Sequence, residues 1–247
     1  MDRTIKIGYF VNIIFALLIL VADVCFIAID CSAYITKTIA SALFVLCGVF
    51  NLVYVLSVLK EKRKIVFYCL MLSGLVFAMT GDILLIDNFV LGAIFFGVGH
   101  ILFLLSFCFL SNLKLRDLLI GAVIFIGSFL LIEFYKGFDF GNMKVLVVVY
   151  ALIISLMLGK ALSNVFEANG KAQNIVIFVG ALLFFVSDLM LVFYLFAGRV
   201  LVFDILCLAA YYPAEFILAF SIFFVSINER EKQAGSLKIS RSTKTRR

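Results

Sequence analysis

The chain has 247 residues, 65% of them hydrophobic, a mean hydropathy of +1.22 and a formal net charge of +6. Soluble domains are close to half apolar, so this composition excludes a soluble globular protein. The charged residues, 15% of the chain, cluster between apolar runs and leave no segment large enough for a soluble domain.

A membrane-spanning helix needs about 20 mostly apolar residues, and eight runs reach that length. The first, 7–29, is too long for the apolar core of a signal peptide and lacks a small-x-small cleavage site, so it reads as a retained helix. It is followed by 37–59, then "KEKRK", then 65–86, and after only "DN" by 89–111. Runs 118–135, 145–166, 175–197 and 205–227 come next, separated by the polar stretches "NLKLRD", "KGFDFGNMK" and "EANGKAQN". The basic tail from Asn228 has the composition of a disordered segment. The six cysteines form no C-x-x-C pair and most lie inside apolar runs, where Cys acts as a small hydrophobe. Their spacing suits neither a disulfide framework nor a thiolate metal site.

Charge placement tests this count. With the N-terminus on side A, all but four of the 21 Lys and Arg fall on side A; Lys37, Lys136, Lys144 and Arg199 fall on side B. The positive-inside rule makes side A cytoplasmic and puts both termini there. These basic residues set topology and meet anionic lipid heads, and nothing in them asks for nucleic acid. The expected fold is an all-α integral membrane protein, eight transmembrane helices in one bundle over 1–227, with a cytoplasmic tail over 228–247.

An echo runs through the chain at a constant offset of 106 residues. "GLVFAMTGDILL", with Asp82, aligns with "GALLFFVSDLML", with Asp188; each has Gly eight residues before the Asp and a small residue directly before it. The segments lie on the third and seventh runs, four apart and so parallel, which is the pattern of a parallel 4+4 repeat.

Ionisable groups at membrane depth are costly, so each asks for a partner or a role. The candidates are Asp23, Lys37, Asp82, His100, Asp188 and Glu215, with Tyr211, Tyr212, Asn51 and Lys160 as polar companions. From side B, Asp82 lies roughly 6 Å in, Asp188 about 14 Å and His100 about 17 Å, at the rise of an α-helix. Tyr212 and Glu215 lie about 10–15 Å in on the last run, where Tyr211, Tyr212 and Glu215 share a face beside Pro213. The side-A half holds little but Lys160, which can snorkel. Structural readings stand beside the functional ones. Asp82 or Asp188 can pair with Lys37 or bond between helices, His100 can be a satisfied structural histidine, and Asp23 can pair with Lys37. Gly92, Gly97 and Gly99 would let helices close around His100.

In these residues the chain resembles the YhhN-type lysoplasmalogenase family of integral membrane proteins. The resemblance runs in order through "TKTIASALF" with Lys37, "LVFAMTGDILLI" with Asp82, "FGVGHILFLLSF" with His100, "VGALLFFVSDLMLVFYLF" with Asp188, then Arg199 and "AAYYPAEFILAFSI", over about residues 37–226. The chain departs from the family pattern in Thr38, where Pro is frequent, and in Phe103, where Tyr is usual. Pro213 and Glu215 fall where the family varies. The resemblance implies eight helices and cleavage of the vinyl ether bond of a lysoplasmalogen, giving a fatty aldehyde and a glycerophospho-ethanolamine or -choline. Its partners would be a lysophospholipid substrate and membrane lipids, without a cofactor.

That chemistry needs a proton donor to carbon and a negative group beside an oxocarbenium ion. Burial favours the neutral form of a carboxyl, and two neighbouring carboxyls titrate as a coupled pair. Asp82 and Asp188 fit, one donating and one ionised, with His100 as relay and Lys37, Tyr211, Tyr212 and Glu215 around the lipid. Two rivals stay open: a metal-dependent membrane lipid hydrolase using His100 with the acids, and a proton-coupled small-solute transporter. No P-loop, dinucleotide fingerprint or G-x-S-x-G elbow is present.

Overall fold

The computed structural model describes residues 2–28, 33–167 and 171–244. Among them the chain is all helix: α1 (Arg3–Ala28), α2 (Ala33–Ser57), α3 (Ile65–Asp87), α4 (Phe89–Cys108), α5 (Leu115–Phe134), α6 (Lys144–Val165), α7 (Lys171–Phe196) and α8 (Leu201–Lys244). A short 3-10 turn, Gly141–Met143, precedes α6. All eight helices are long and apolar enough to cross a membrane, as their composition predicts.

One residue turns the chain between α3 and α4. Asn88 adopts an extended backbone, and its side chain accepts from the Leu91 N–H at 3.1 Å, capping α4. The hairpin closes tightly because Gly92 lies against the α3 backbone; a Cβ there would meet the Leu85 Cα at 2.7 Å. Gly159 and Gly121 bring α6 and α5 together in the same way, with 2.5 Å left for a Cβ.

Helices α2, α3, α4, α6, α7 and α8 pack in that order into a closed ring, α8 returning to α2 and also touching α3. Outside it, α1 lies against α2 and α8, and α5 against α6. The outer faces of α1 and α5 carry exposed Phe10, Ile13, Leu17, Val123, Ile126 and Leu130, the side chains a lipid environment covers. Inside the ring, buried aromatics dominate: Phe44, Phe67, Phe103, Phe107, Phe184 and Phe223.

The side-A half is more polar than its sequence implies. Asn12 and Asn51 exchange amide hydrogen bonds of 2.8 and 2.9 Å, and Asn51 also donates to the Ala219 carbonyl at 3.0 Å. They tie α1, α2 and α8 together. Lys160 does not snorkel. It is buried and bonds Asp117 at 2.7 Å, the Asn112 carbonyl at 2.9 Å and the Ser111 hydroxyl at 3.1 Å. Asp117 also accepts from Ser163 and from the Lys114 N–H. Three donors on one ammonium and several on one carboxylate leave this ion pair compensated, so it can stay buried between α5 and α6.

The tail also differs from its sequence reading. α8 runs on as helix through Lys244 instead of stopping at the last apolar residue. Propagating a helix fixes one residue per bond once it is nucleated, and partners on the bundle hold the first turns: Arg63 donates to the Glu229 carbonyl at 2.7 Å and Asn228 to Gln173 at 3.4 Å. Arg63 also pairs with Glu61, holding that carboxyl below its ordinary range.

Lys160→Met should leave Asp117 buried without its cation and destabilise the bundle by about 3 kcal/mol. Thermal unfolding in detergent reads this. The Asp117→Asn/Lys160→Met double variant should lose less than Lys160→Met alone, because the pair is coupled.

Candidate active site

Two acid clusters form on the side-B half of the ring. In the first, Asp82 on α3 is 2% exposed. Its Oδ2 accepts from Ser41 on α2 at 2.5 Å and from the Tyr211 hydroxyl on α8 at 2.7 Å, and its Oδ1 lies 3.7 Å from the Lys37 Nζ. Lys37 and Ser41 are one turn apart on α2, so both reach the same carboxylate. Two hydroxyl donors and one cation surround it, which is the compensation an ionised carboxylate needs in a low dielectric.

In the second cluster, the Asp188 Oδ2 on α7 accepts from the Tyr150 hydroxyl on α6 at 2.7 Å and lies 3.1 Å from the His100 Nε2 on α4. His100 and Tyr150 also meet each other, at 2.8 Å. Three proton-bearing groups thus converge on one another, while the buried His100 Nδ1 has no partner among the described residues. The Phe184 ring separates the clusters, edge-on to His100 at 4.5 Å and to Tyr211 at 5.4 Å. The small residue before Asp82 now has a specific role. A Cβ on Gly81 would meet the Phe96 ring at 2.8 Å, so Gly81 admits Phe96 to this aromatic layer, where it touches Phe184 and Tyr211.

Helices α3 and α7 do not pack against each other, yet Asp82 and Asp188 line one open pocket, about 360 Å³ with its mouth included, together with Lys37, Asp204, Ser187, Cys207 and Tyr211. Leu85, Phe96, Leu191 and Leu208 complete its walls. It shares Lys37, Leu85, Leu191 and Asp204 with a larger vestibule of about 1030 Å³, its open mouth included, which adds Asp87 and Arg199. Two apolar clefts also end at Asp188 and Tyr150. One, about 430 Å³ with its open side included, is lined by Phe89, Ala93, Leu146 and Val192; the other, about 440 Å³ on the same measure, is lined by Leu131, Ile132, Phe138 and Leu189.

The structure therefore brings Lys37, Asp82, Asp188 and Tyr211 to one pocket, with His100 behind Asp188. Tyr212 and Glu215 line neither that pocket nor the vestibule; both are fully buried, and their side-chain oxygens make no hydrogen bond among the described residues. Lys37 pairs with Asp82 and not with Asp23, whose Oδ1 has no partner among the described residues. Of the three glycines near His100, Gly92 and Gly99 sit against α3, while Gly97 has ordinary space around it. Sequence reasoning missed Ser41, Tyr150, Asp117 and Asp204. Ser41 was signalled by its place one turn beyond Lys37, and Tyr150 by being the one hydroxyl in "VLVVVYALII". Among the described residues, no three His, Cys, Asp or Glu are placed to hold a metal ion.

Eight apolar helices around buried, partnered carboxyls define a multi-pass helical membrane protein with a polar site in its ring. The chain belongs to the YhhN family, whose model matches residues 32–222. No curated protein and no solved structure matches the chain.

Tyr150→Phe should remove one bond to Asp188 and destabilise the fold by about 1.5 kcal/mol. Tyr68→Phe should be neutral or stabilising, because that buried hydroxyl has no partner among the described residues to lose. Thermal unfolding of the two purified variants checks the contrast.

Proposed function

We propose that this protein is a lysoplasmalogenase, hydrolysing the vinyl ether bond of a single-chain alkenyl phospholipid to a fatty aldehyde and a glycerophospho-alcohol. The observation that carries the reading is the shared pocket: two carboxyls in different hydrogen-bonding environments line a space open to a polar vestibule, and apolar clefts end at one of them. An amphiphile has the same order of parts. Its chain fits a cleft, its vinyl ether lies beside Asp188, and its phosphate reaches Lys37 and Arg199. Family membership supports the same substrate class.

The environments divide the labour. The Asp188–His100–Tyr150 cluster delivers a proton to the alkenyl carbon β to the ether oxygen. The C=C π pair forms the new C–H bond and an oxygen lone pair makes the oxocarbenium ion. Asp82, with Lys37, Ser41 and Tyr211 holding it, faces that cation as a carboxylate. Water adds to the cationic carbon and gives a proton to Asp82. As the hemiacetal collapses, that proton goes to the departing glycerol oxygen, and the hemiacetal hydroxyl proton returns to Asp188. Both acids end as they began. Tyr211 acts through Asp82, and Tyr212 and Glu215 have no contact with the substrate.

The charge bias supports a vestibule on the outer face of a cell membrane and both termini in the cytoplasm. The four-helix repeat belongs to the same proposal. In its favour, α1 packs on α2 as α5 on α6, α2 on α3 as α6 on α7, α3 on α4 as α7 on α8, and α4 on α6 as α8 on α2. The correspondence is partial, since α8 also touches α1 and α3.

Purified protein should release aldehyde from a 1-alkenyl-lysophospholipid. Asp82→Asn and Asp188→Asn should each lower kcat by about 10²–10⁴-fold, with Tyr150→Phe between them and the parent. Proton-coupled solute flux in vesicles with no lipid turnover would favour a carrier instead.

A further inference from the structure

Asp204 is the one carboxyl of the pocket that the chemistry above does not use. It sits near the start of α8, half-buried, and it lines both the carboxyl pocket and the vestibule, so it stands at the neck between them. No group among the described residues lies within hydrogen-bond or ion-pair distance of it, and the cation whose charge acts on it is Lys37. Asp204 lies in the first turn of α8, at the side-B end, where a polar group entering by the vestibule can reach it. The hydroxyl donors that share the pocket are already engaged, Tyr211 with Asp82 at 2.7 Å and Ser187 with Cys207 at 3.4 Å, while Lys37 lies 3.7 Å from Asp82. The remaining walls, Leu85, Phe96, Leu191 and Leu208, offer none.

We propose that Asp204 accepts a hydrogen bond from the free sn-2 hydroxyl of the substrate and so selects single-chain over two-chain lipids. This rests on the reading of the pocket as a vinyl ether site. In such a lipid the ether oxygen is on C1, the hydroxyl on C2 and the phosphate on C3. With the ether between Asp82 and Asp188 and the phosphate at Lys37 and Arg199, C2 falls at the neck where Asp204 stands. An acyl group on that oxygen removes the donor and adds a second chain beside Leu85 and Leu191, which line both spaces. A site built to bond a hydroxyl also rejects the analogue that lacks it, because its own acceptor is then stranded. Asp204 is thus a specificity-determining residue, and it takes no part in the proton transfers.

The test compares 1-alkenyl-lysophosphocholine with its 2-deoxy analogue. The choline head is chosen because a quaternary ammonium has no N–H to offer Asp204. The parent protein should favour the hydroxyl lipid in kcat/KM by between about tenfold and a hundredfold. Asp204→Ala should bring the two within about threefold, and Asp204→Asn, which keeps a carbonyl acceptor, should fall between. A merely structural loss would lower both lipids alike and leave their ratio unchanged, and that result overturns the proposal, as does a parent protein that does not discriminate. Dissociation constants for the uncleavable 1-O-alkyl lipid and its 2-deoxy form should give the same ratios. Binding of that pair does not depend on turnover, so the two ideas fail separately: no aldehyde release from either alkenyl lipid would refute the hydrolase reading, while the binding ratio alone still decides the role of Asp204.

Discussion

The structure depends on one constraint: a carboxylate inside a ring of apolar helices must be met by donors from other helices. Asp82 satisfies it with Lys37 and Ser41 from α2 and Tyr211 from α8. Those three contacts fix where α2, α3 and α8 meet, because Lys37 and Ser41 need α2 in register with α3 and Tyr211 needs α8 in register with α3. Asp188 imposes the same demand on α4 and α6 through His100 and Tyr150. The six helices of the ring are the six that contribute to these two clusters. The two that do not, α1 and α5, lie outside it, joined to the ring by the Asn12–Asn51 and Asp117–Lys160 bonds.

The same constraint differentiates two residues that look alike in sequence. Each Asp follows a small residue within an apolar helix, but Asp82 has a cation and two hydroxyls, whereas Asp188 shares one oxygen between a phenol and an imidazole. The first environment compensates charge, and the second gathers three proton-bearing groups within hydrogen-bond distance of one another. In the proposed reaction that difference separates the group that stabilises a cation from the group that protonates carbon. Phe184, set between His100 and Tyr211, keeps the two networks from merging.

The helices were legible in the sequence because spanning lengths of apolar residues leave little choice of structure in a membrane, and α3 and α4 match their runs to within three residues at each end. The acids were legible for the complementary reason that each stands out against Leu, Phe and Val. The partners were harder to read. Ser41 and Tyr150 matter only because α2 meets α3 and α4 meets α6, and helix neighbours are a property of packing that periodicity does not carry. Lys160 shows the limit from the other direction: a basic residue within two turns of a helix end fits a snorkelling side chain, until Asp117 and the Asn112 carbonyl arrive from α5 and the loop before it. Tyr212 and Glu215 share a helix with Tyr211, but Tyr212 is turned by about 100° from it and Glu215 lies about one turn deeper, so neither reaches the pocket.

The most direct measurement of the central chemistry is hydrolysis of a 1-alkenyl-lysophospholipid by the purified protein in deuterated water, with mass analysis of the aldehyde trapped as it forms. Proton delivery to carbon from the Asp188 cluster places one solvent deuterium on the carbon next to the aldehyde group, and Asp188→Asn slows formation of that labelled product. An aldehyde formed at the parent rate without deuterium on that carbon would contradict carbon protonation, and with it the roles given to Asp82 and Asp188.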